Sequence, residues 1–197
     1  MVRQQRGLRR RNALVQAAAD IAAEHGFGAV SHRAVARRAG VPLGSTTYYF
    51  ASLDDLLGSV ADVMVRERLD HGTAVTRKAQ PGPYTASEAA ALLTRAVLPG
   101  EEPARVLCYY EQLLSAARHP AVAAVLHRQR PRLERMVAGV LAKTSHAGRF
   151  SPSLVLAVVD GAALSALSEG RSDVSALVAG RLSELLGQAS ADQLRQG

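Results

Sequence analysis

The residues with the most specific chemistry lie in one short stretch near the N-terminal end of the chain. Five consecutive side chains there end in a hydroxyl group: Ser45, Thr46, Thr47, Tyr48 and Tyr49. Such hydroxyls bind phosphate oxygens and base edges, and a threonine methyl can contact the methyl group of thymine. On one exposed helix they would form a surface suited to a DNA groove.

The residues before this stretch have the spacing of a helix-turn-helix. Ser31 is a predicted N-cap for a helix over 32–39, whose inner side carries Val35, Ala36 and Ala39. Gly40 permits a tight turn, and Val41 fills the space between this helix and the next. The second helix is predicted over 43–49, and Phe50 closes the turn as a core residue.

The predicted DNA contacts lie at the start of the first helix, along the second, and in a basic N-terminal extension. They are Arg9, Ser31, Arg33, Leu43, Gly44, Ser45, Thr46, Thr47, Tyr48 and Tyr49. A core position is the alternative for Tyr49. For Arg37 and Arg38, a phosphate contact and a solvated surface charge are equally good interpretations.

The charge distribution indicates a polyanionic partner. The chain has 24 Lys and Arg against 17 Asp and Glu, a net charge of +7. Residues 1–50 hold eight arginines and two acids, so +6 lies there and only +1 on the remaining 147 residues. A basic segment joined to a nearly neutral remainder is typical of a nucleic-acid-binding module. A solvated basic tail over Arg3–Arg11 is the alternative.

The motif is similar to that of a known family. The run Ala39–Phe50, followed by Ser52 and by Leu56-Leu57, resembles the TetR family of bacterial transcriptional repressors. The apolar stripe from Leu14 to Gly26 resembles that family's first helix. One position departs from the pattern, because Leu53 stands where many members carry a lysine that supports a phosphate contact.

The composition predicts an all-α protein of about nine helices. Hydrophobic residues make up 48% of the 197 residues and aromatic ones only 4%, with alanine, the best helix former, prominent. Predicted helix starts include Ser52 and Ser151, and Pro131 is expected to kink or divide a helix over 120–143. We expect a three-helix DNA-binding domain over 1–50 and a larger helical ligand-binding and dimerisation domain over 51–197.

The resemblance implies a ligand pocket and a dimer in the larger domain. Pocket candidates are its larger or softer side chains: Met64, Tyr84, Cys108, Tyr109, Tyr110, Leu113 and Met136. The last two helices have wide apolar surfaces suited to a four-helix interface. The predicted dimer residues are Leu154, Val158, Ala162, Ser165, Leu177, Leu182 and Leu185, with a purely intramolecular core as the alternative.

Enzymatic, metal and cofactor sites are not expected. None of the six histidines forms a metal-ligand pair, Cys108 is a single cysteine with no second one to complete a zinc site, and no phosphate-binding glycine loop or G-x-S-x-G occurs. No signal peptide is recognisable. The apolar stretch Leu154–Ser168 contains Asp160 and is shorter than the ~20 residues that span a bilayer. We therefore expect a cytoplasmic location and no membrane partner.

The sequence thus predicts a homodimeric repressor that binds a palindromic operator in double-stranded DNA. A small, mostly apolar ligand in the larger domain would release it. The alternative is a DNA-binding regulator without a small-molecule ligand, controlled by a partner protein or by its abundance.

Overall fold

A computed structural model describes the backbone of residues 2–194 and the side chains of residues 5–188. Over these residues the chain forms nine α-helices, one short 3₁₀ turn at Phe27–Ala29 and no strand, which confirms the all-α prediction. The helices are α1 Val2–His25, α2 His32–Arg38, α3 Leu43–Tyr49, α4 Leu53–Lys78, α5 Ala86–Val97, α6 Pro103–Ser115, α7 Pro120–Leu141, α8 Pro152–Ser168 and α9 Val174–Leu194.

Local side-chain chemistry sets several of these helix starts. Ser31, Ser52 and Ser151 each accept a hydrogen bond from the backbone N–H three residues later, at 3.1 to 3.2 Å. These contacts confirm the three predicted N-caps. At the start of α5, Thr85 and Glu88 form a reciprocal capping box.

Two further elements can be compared with the sequence prediction. Residues 2–25 form one helix, so Arg9 lies on α1 and not in an extended arm. Helix α7 contains Pro131 and is one continuous element from Pro120 to Leu141, so the proline does not divide it, and a kink stays a prediction. A proline inside a helix removes one backbone hydrogen bond, and the helix persists on both sides of it.

Packing divides the chain into two compact units. Unit 1 contains the residues up to Glu67 together with Leu107–Gln129. Its core joins the helix-turn-helix to the first turns of α4 and to parts of α6 and α7: Leu14, Ala18, Ile21, Ala22, Phe27, Val35, Phe50, Leu56, Leu57, Val60, Cys108, Val122 and Val125. The apolar stripe at the start of α4 belongs to this core, and a domain boundary at residue 50 stays a prediction.

Unit 2 contains Arg68–Val106 and the residues from Arg130 onward. In it α5 and α8 both pack against α9. Helix α4 approaches α5 very closely at Gly72, where an added methyl group would collide with the sulfur of Met136 and the carbonyl oxygen of Ala96. Within the described chain, no helix combines the length and the apolar character that a membrane span requires.

Candidate nucleic-acid interface

The turn between α2 and α3 has the geometry expected of a helix-turn-helix. Gly40 adopts φ +64°, a conformation that side-chain-bearing residues rarely adopt. The N–H of Val41 donates to the carbonyl of Ala36 at 3.0 Å, which closes the turn. Val35 is fully buried and Ala36 nearly so. The small residues of α2 therefore let α3 pack closely across it.

Helix α3 presents an exposed surface formed by four of its seven residues, all of them predicted contacts. Its exposed residues are Leu43, Gly44, Thr47 and Tyr48. Tyr48 is 82% exposed, an unusual position for a large aromatic side chain. Ser45 and Tyr49 are half-buried, and the rings of Tyr48 and Tyr49 meet edge to face at 5.0 Å. Hydroxyl and aromatic groups are thus displayed together on one short helix.

Thr46 departs from the prediction that it contacts DNA. Its side chain is fully buried, and its hydroxyl donates to the carbonyl of Leu43 at 2.8 Å. A buried threonine with its hydrogen bond satisfied inside its own helix is a packing residue. Phe50 is also buried, at 1% exposure, as predicted.

The arginines of unit 1 fall into two groups. Arg6, Arg9, Arg10, Arg33 and Arg37 are exposed and form no ion pair with any described residue. Arg38 instead makes a two-pronged hydrogen bond to Glu24, which lowers the pKa of that carboxyl below its usual value. Of the two basic residues left open by the sequence, only Arg37 is therefore unpaired.

Arg11 connects neighbouring elements, which its position in the basic segment Arg3–Arg11 did not predict. Its guanidinium lies 4.9 Å from the centroid of the Phe50 ring, within the range of a cation–π contact. The same group donates to the hydroxyl of Ser59 at 2.8 Å, and that hydroxyl donates to the carbonyl of Asp55 at 3.0 Å. Arg11 therefore ties α1 to the turn after α3 and to the first turns of α4.

Helix α6 holds the end of α1 through two contacts. The carboxylate of Glu111 accepts a hydrogen bond from the N–H of Phe27 at 2.7 Å. The thiol of Cys108 donates to the carbonyl of Ala22 at 3.0 Å. Gly26 lies between them at φ +86°, where a methyl group would come within 2.7 Å of the Glu111 carboxylate. No local sequence signal predicted these contacts.

The predicted pocket residues are divided between the two units. Met64, Cys108, Tyr109, Tyr110 and Leu113 belong to unit 1, whereas Tyr84 and Met136 belong to unit 2. Cys108, Tyr109, Tyr110 and Met136 are buried, and a pocket lined by the predicted set stays a prediction. Tyr109 and Tyr110 are both buried, with ring centroids 5.1 Å apart.

Unit 2 contains a cavity of about 710 Å³ that the sequence did not predict. It lies between the C-terminal half of α4, helix α5 and the loops that follow each, and of the predicted pocket residues only Tyr84 lines it. We call it the α4–α5 cavity. Its volume falls within the ~300–1,000 Å³ range of small-molecule sites.

The predicted dimer residues are divided between surface and core. Leu154 is 44% exposed, Ser165 is exposed, and Val158, Leu177 and Leu185 are half-buried. Ala162 and Leu182 are instead buried within the chain. Part of the predicted face therefore supports the packing of α8, α9 and α5, and the remainder, with Leu164 at 39% exposure, is apolar surface.

An all-α chain in which a short exposed helix follows a tight turn, within a basic unit, is a helix-turn-helix protein. Comparison with family models identifies the family to which the chain belongs. The model for bacterial regulatory proteins of the tetR family matches residues 14–60, and the model for the tetracyclin repressor-like C-terminal domain matches residues 84–188. The chain belongs to the TetR family.

Solved structures share this fold over almost the whole chain. The multidrug binding protein EbrR, complexed with proflavin, is 28% identical, with a TM-score of 0.66 over 89% of this chain and 99% of that one. A TetR-family member from Streptomyces coelicolor is 28% identical, with a TM-score of 0.61 over 89% and 97%. A transcriptional regulator from a Rhodococcus species is 23% identical, with a TM-score of 0.69 over 90% and 94%. Comparison with curated protein sequences finds no significant match.

Proposed function

We propose that this TetR-family regulator is a homodimeric repressor that binds a palindromic operator and is released by a small, mostly apolar ligand. The observation that carries the DNA-binding part is the exposure of α3, with Tyr48 at 82% and Leu43 at 46%. Two large side chains, one aromatic and one aliphatic, are thus exposed together on one short helix, and an exposed apolar patch is typical of an interaction site.

The proposed contact surface is the exposed side of α3 with the unpaired arginines of α1 and α2. Leu43, Thr47 and Tyr48 would enter the major groove, with Gly44, Ser45 and Tyr49 beside them. Arg9 and Arg33 would bind phosphates, and Ser31, whose hydroxyl caps α2, would contribute through its position at the helix start. Thr46 is not part of this surface, since it is buried.

A dimer follows from the small size of this surface. Helix α3 has seven residues, too few contacts for specific binding alone. Two copies about 34–36 Å apart would contact successive major grooves. The exposed apolar side chains of α8, Leu154 and Leu164, support a symmetric contact through this helix.

Ligand response has two supports. EbrR is a multidrug binding protein whose structures include complexes with proflavin and ethidium, and this chain has the α4–α5 cavity of about 710 Å³. His71, Val75 and Lys78 line that cavity, and all three belong to α4, the helix that begins at Leu53 just after α3. A ligand that favours a position of α4 unsuited to the operator would release the DNA.

The DNA-binding proposal can be tested without knowing the operator. The protein would select bound sequences from a random duplex library, and footprinting would then locate the protected bases. We expect a palindromic footprint that Thr47→Ala with Tyr48→Ala abolishes while the dimer persists in size-exclusion chromatography. Thr73→Ala, an exposed threonine on α4, is the matched control. Equal protection by the double variant would rule out α3 as the recognition helix.

The ligand proposal has its own test. A screen of small apolar compounds should find some that raise the melting temperature, because a ligand that binds only the folded state stabilises it by mass action. The same compounds should dissociate the protein from its selected DNA. Stabilisation without dissociation would favour the alternative, a regulator controlled by a partner protein or by abundance.

A further inference from the structure

The α4–α5 cavity combines a buried apolar surface with exposed charged residues. Leu92 and Leu98 line it and are 3% and 2% exposed, and Val75 is half-buried beside them. Lys78 and Arg95 line the same cavity and are both exposed. A ligand that fills this space would thus meet both aliphatic carbon and side-chain charge.

The charges of this cavity are predominantly positive. Two cationic side chains, Lys78 and Arg95, face a single carboxylate, that of Glu101. None of the three takes part in an ion pair within the described residues. Their charges are consequently available to a ligand, and the balance favours an anion.

Two neutral polar groups of the cavity make hydrogen bonds that connect parts of its lining. The Nε2 of His71 lies 3.0 Å from the carbonyl oxygen of Arg95, so it donates its proton there and links α4 to α5. The hydroxyl of Tyr84 donates to the carbonyl of Gln80 at 2.8 Å, which fixes the loop after α4. Both groups are thus engaged as donors, and Lys78 and Arg95 supply the positive charge that would recognise an acidic group.

We propose that the α4–α5 cavity binds an amphipathic anion, a carboxylate attached to an extended apolar body. Lys78 and Arg95 bind the carboxylate, and Leu92, Leu98 and Val75 contact the apolar part. The inference rests on the proposed function, because it assigns a chemical class to the effector of the regulator. It also separates this chain from relatives that bind cationic dyes, since such dyes would face the same two positive charges.

Another role for these basic residues is to complement helix dipoles. Arg77 and Lys78 both lie in the last turn of α4, and Arg95 lies in the last turn of α5, where positive charge is favourable. Arg77 does not line the cavity. Arg77→Gln is therefore a matched control for Lys78→Gln, because it removes the same charge from the same helix end.

The experiment compares three probes with the same ten-carbon chain on the full-length protein without DNA. Decanoate, 1-decanol and decyltrimethylammonium differ only in the charge of the head group. Isothermal titration should show decanoate binding about tenfold or more tighter than decanol, as expected when charge-assisted hydrogen bonds are added, and the cation binding most weakly. Lys78→Gln with Arg95→Gln should remove this preference and leave the affinity for decanol within about twofold. Arg77→Gln should behave as the wild type, and Glu101→Gln should strengthen decanoate binding.

Three results would overturn the proposal. They are equal affinity for the three probes, tighter binding of the cation, and undiminished decanoate binding by the double variant, which would place the anion elsewhere on this basic chain. Melting temperatures of the unliganded variants establish that each is folded. DNA release is measured separately on the selected duplex. Anion-selective binding without release would contradict the proposed effector role but not the cavity's selectivity, whereas loss of selectivity leaves DNA binding unaffected.

Discussion

The carboxylate of Asp54 accepts a hydrogen bond from the backbone N–H of Ala121 at 3.1 Å, so the first turn of α4 caps the start of α7. The imidazole of His119 lies 3.5 Å from the same carboxylate. Immediately beside this contact, a methyl group at Gly58 would come within 2.8 Å of the Ala121 side chain. Two helices far apart in sequence are thus joined just after the recognition helix.

Removing this cap should weaken unit 1. We expect Asp54→Ala to lower the free energy of unfolding by about 0.5–2 kcal/mol, because an N-terminal helix N–H loses its acceptor. Asp54→Asn keeps an oxygen acceptor and should cost less than Asp54→Ala. Urea denaturation followed by circular dichroism measures both. Asp70→Ala, an exposed carboxylate on the same helix, is the control, and equal losses from Asp70→Ala and Asp54→Ala would contradict the capping role.

The junction of Gly26 and Glu111 should respond non-additively to mutation. Gly26→Ala places a methyl group 2.7 Å from the Glu111 carboxylate in a backbone at φ +86°, so we expect a loss of about 1–3 kcal/mol. Glu111→Ala removes the collision as well as the hydrogen bond to Phe27. The double variant should therefore lose less stability than the sum of the single variants, and strict additivity in a double-mutant cycle would exclude the contact.

His146 should make stability depend on pH. It is 2% exposed, and burial together with the nearby Arg149 lowers its pKa below 6.5. The unfolded chain therefore takes up a proton that the native state resists, so stability falls as the pH drops below about 6.5. His146→Gln should flatten the melting temperature between pH 7.5 and 5.5, and His25→Gln, at an exposed position, should not. A wild-type profile that is flat over this range would rule out the effect.

Two neighbouring arginines should affect DNA binding differently. Arg33 is exposed with no ion pair among the described residues, whereas Arg38 is held by Glu24. On the proposed interface, Arg33→Ala should reduce the slope of log affinity against log salt by about 1, as expected for the loss of one phosphate contact. Arg38→Ala should change the slope less. Fluorescence anisotropy with the selected duplex at several salt concentrations measures both, and a larger effect from Arg38→Ala would reverse the assignment.

Gly72 should tolerate no larger side chain. A methyl group there collides with the sulfur of Met136 and the carbonyl of Ala96, so Gly72→Ala should cost about 1–3 kcal/mol through overpacking. Gly7→Ala, at a helical position with no atom near the added methyl group, should instead stabilise α1 slightly. Differential scanning calorimetry compares the two variants, and similar melting temperatures would show that α4 and α5 can separate without cost.

The sequence predicted the features that depend on neighbouring residues. Gly40, Ser31 and Val35 act within a few positions of the turn, so their spacing was enough to identify the motif. Thr46 was predicted to contact DNA, but successive side chains of a helix point about 100° apart, so one position decides between surface and core. Packing against α2 decides which hydroxyls of a seven-residue helix face outward.

Contacts between distant segments could not be predicted in this way. Glu111 and Phe27 are separated by 84 positions, and nothing in the sequence around either residue indicates that the two are in contact. The α4–α5 cavity is lined from α4, α5 and Ser175 of α9, so no local pattern reveals it. Several of the larger or softer side chains predicted to line a pocket are buried core residues, as Cys108 and Met136 show.

The burial of Cys108 has a practical consequence. It is the only cysteine in the chain, it is 3% exposed, and its sulfur donates to a main-chain carbonyl in the core. Maleimides and similar reagents require an accessible thiolate. The native cysteine should therefore not react with such reagents. A single cysteine introduced at Thr47 or Arg77 would then carry a fluorophore or spin label at one known position.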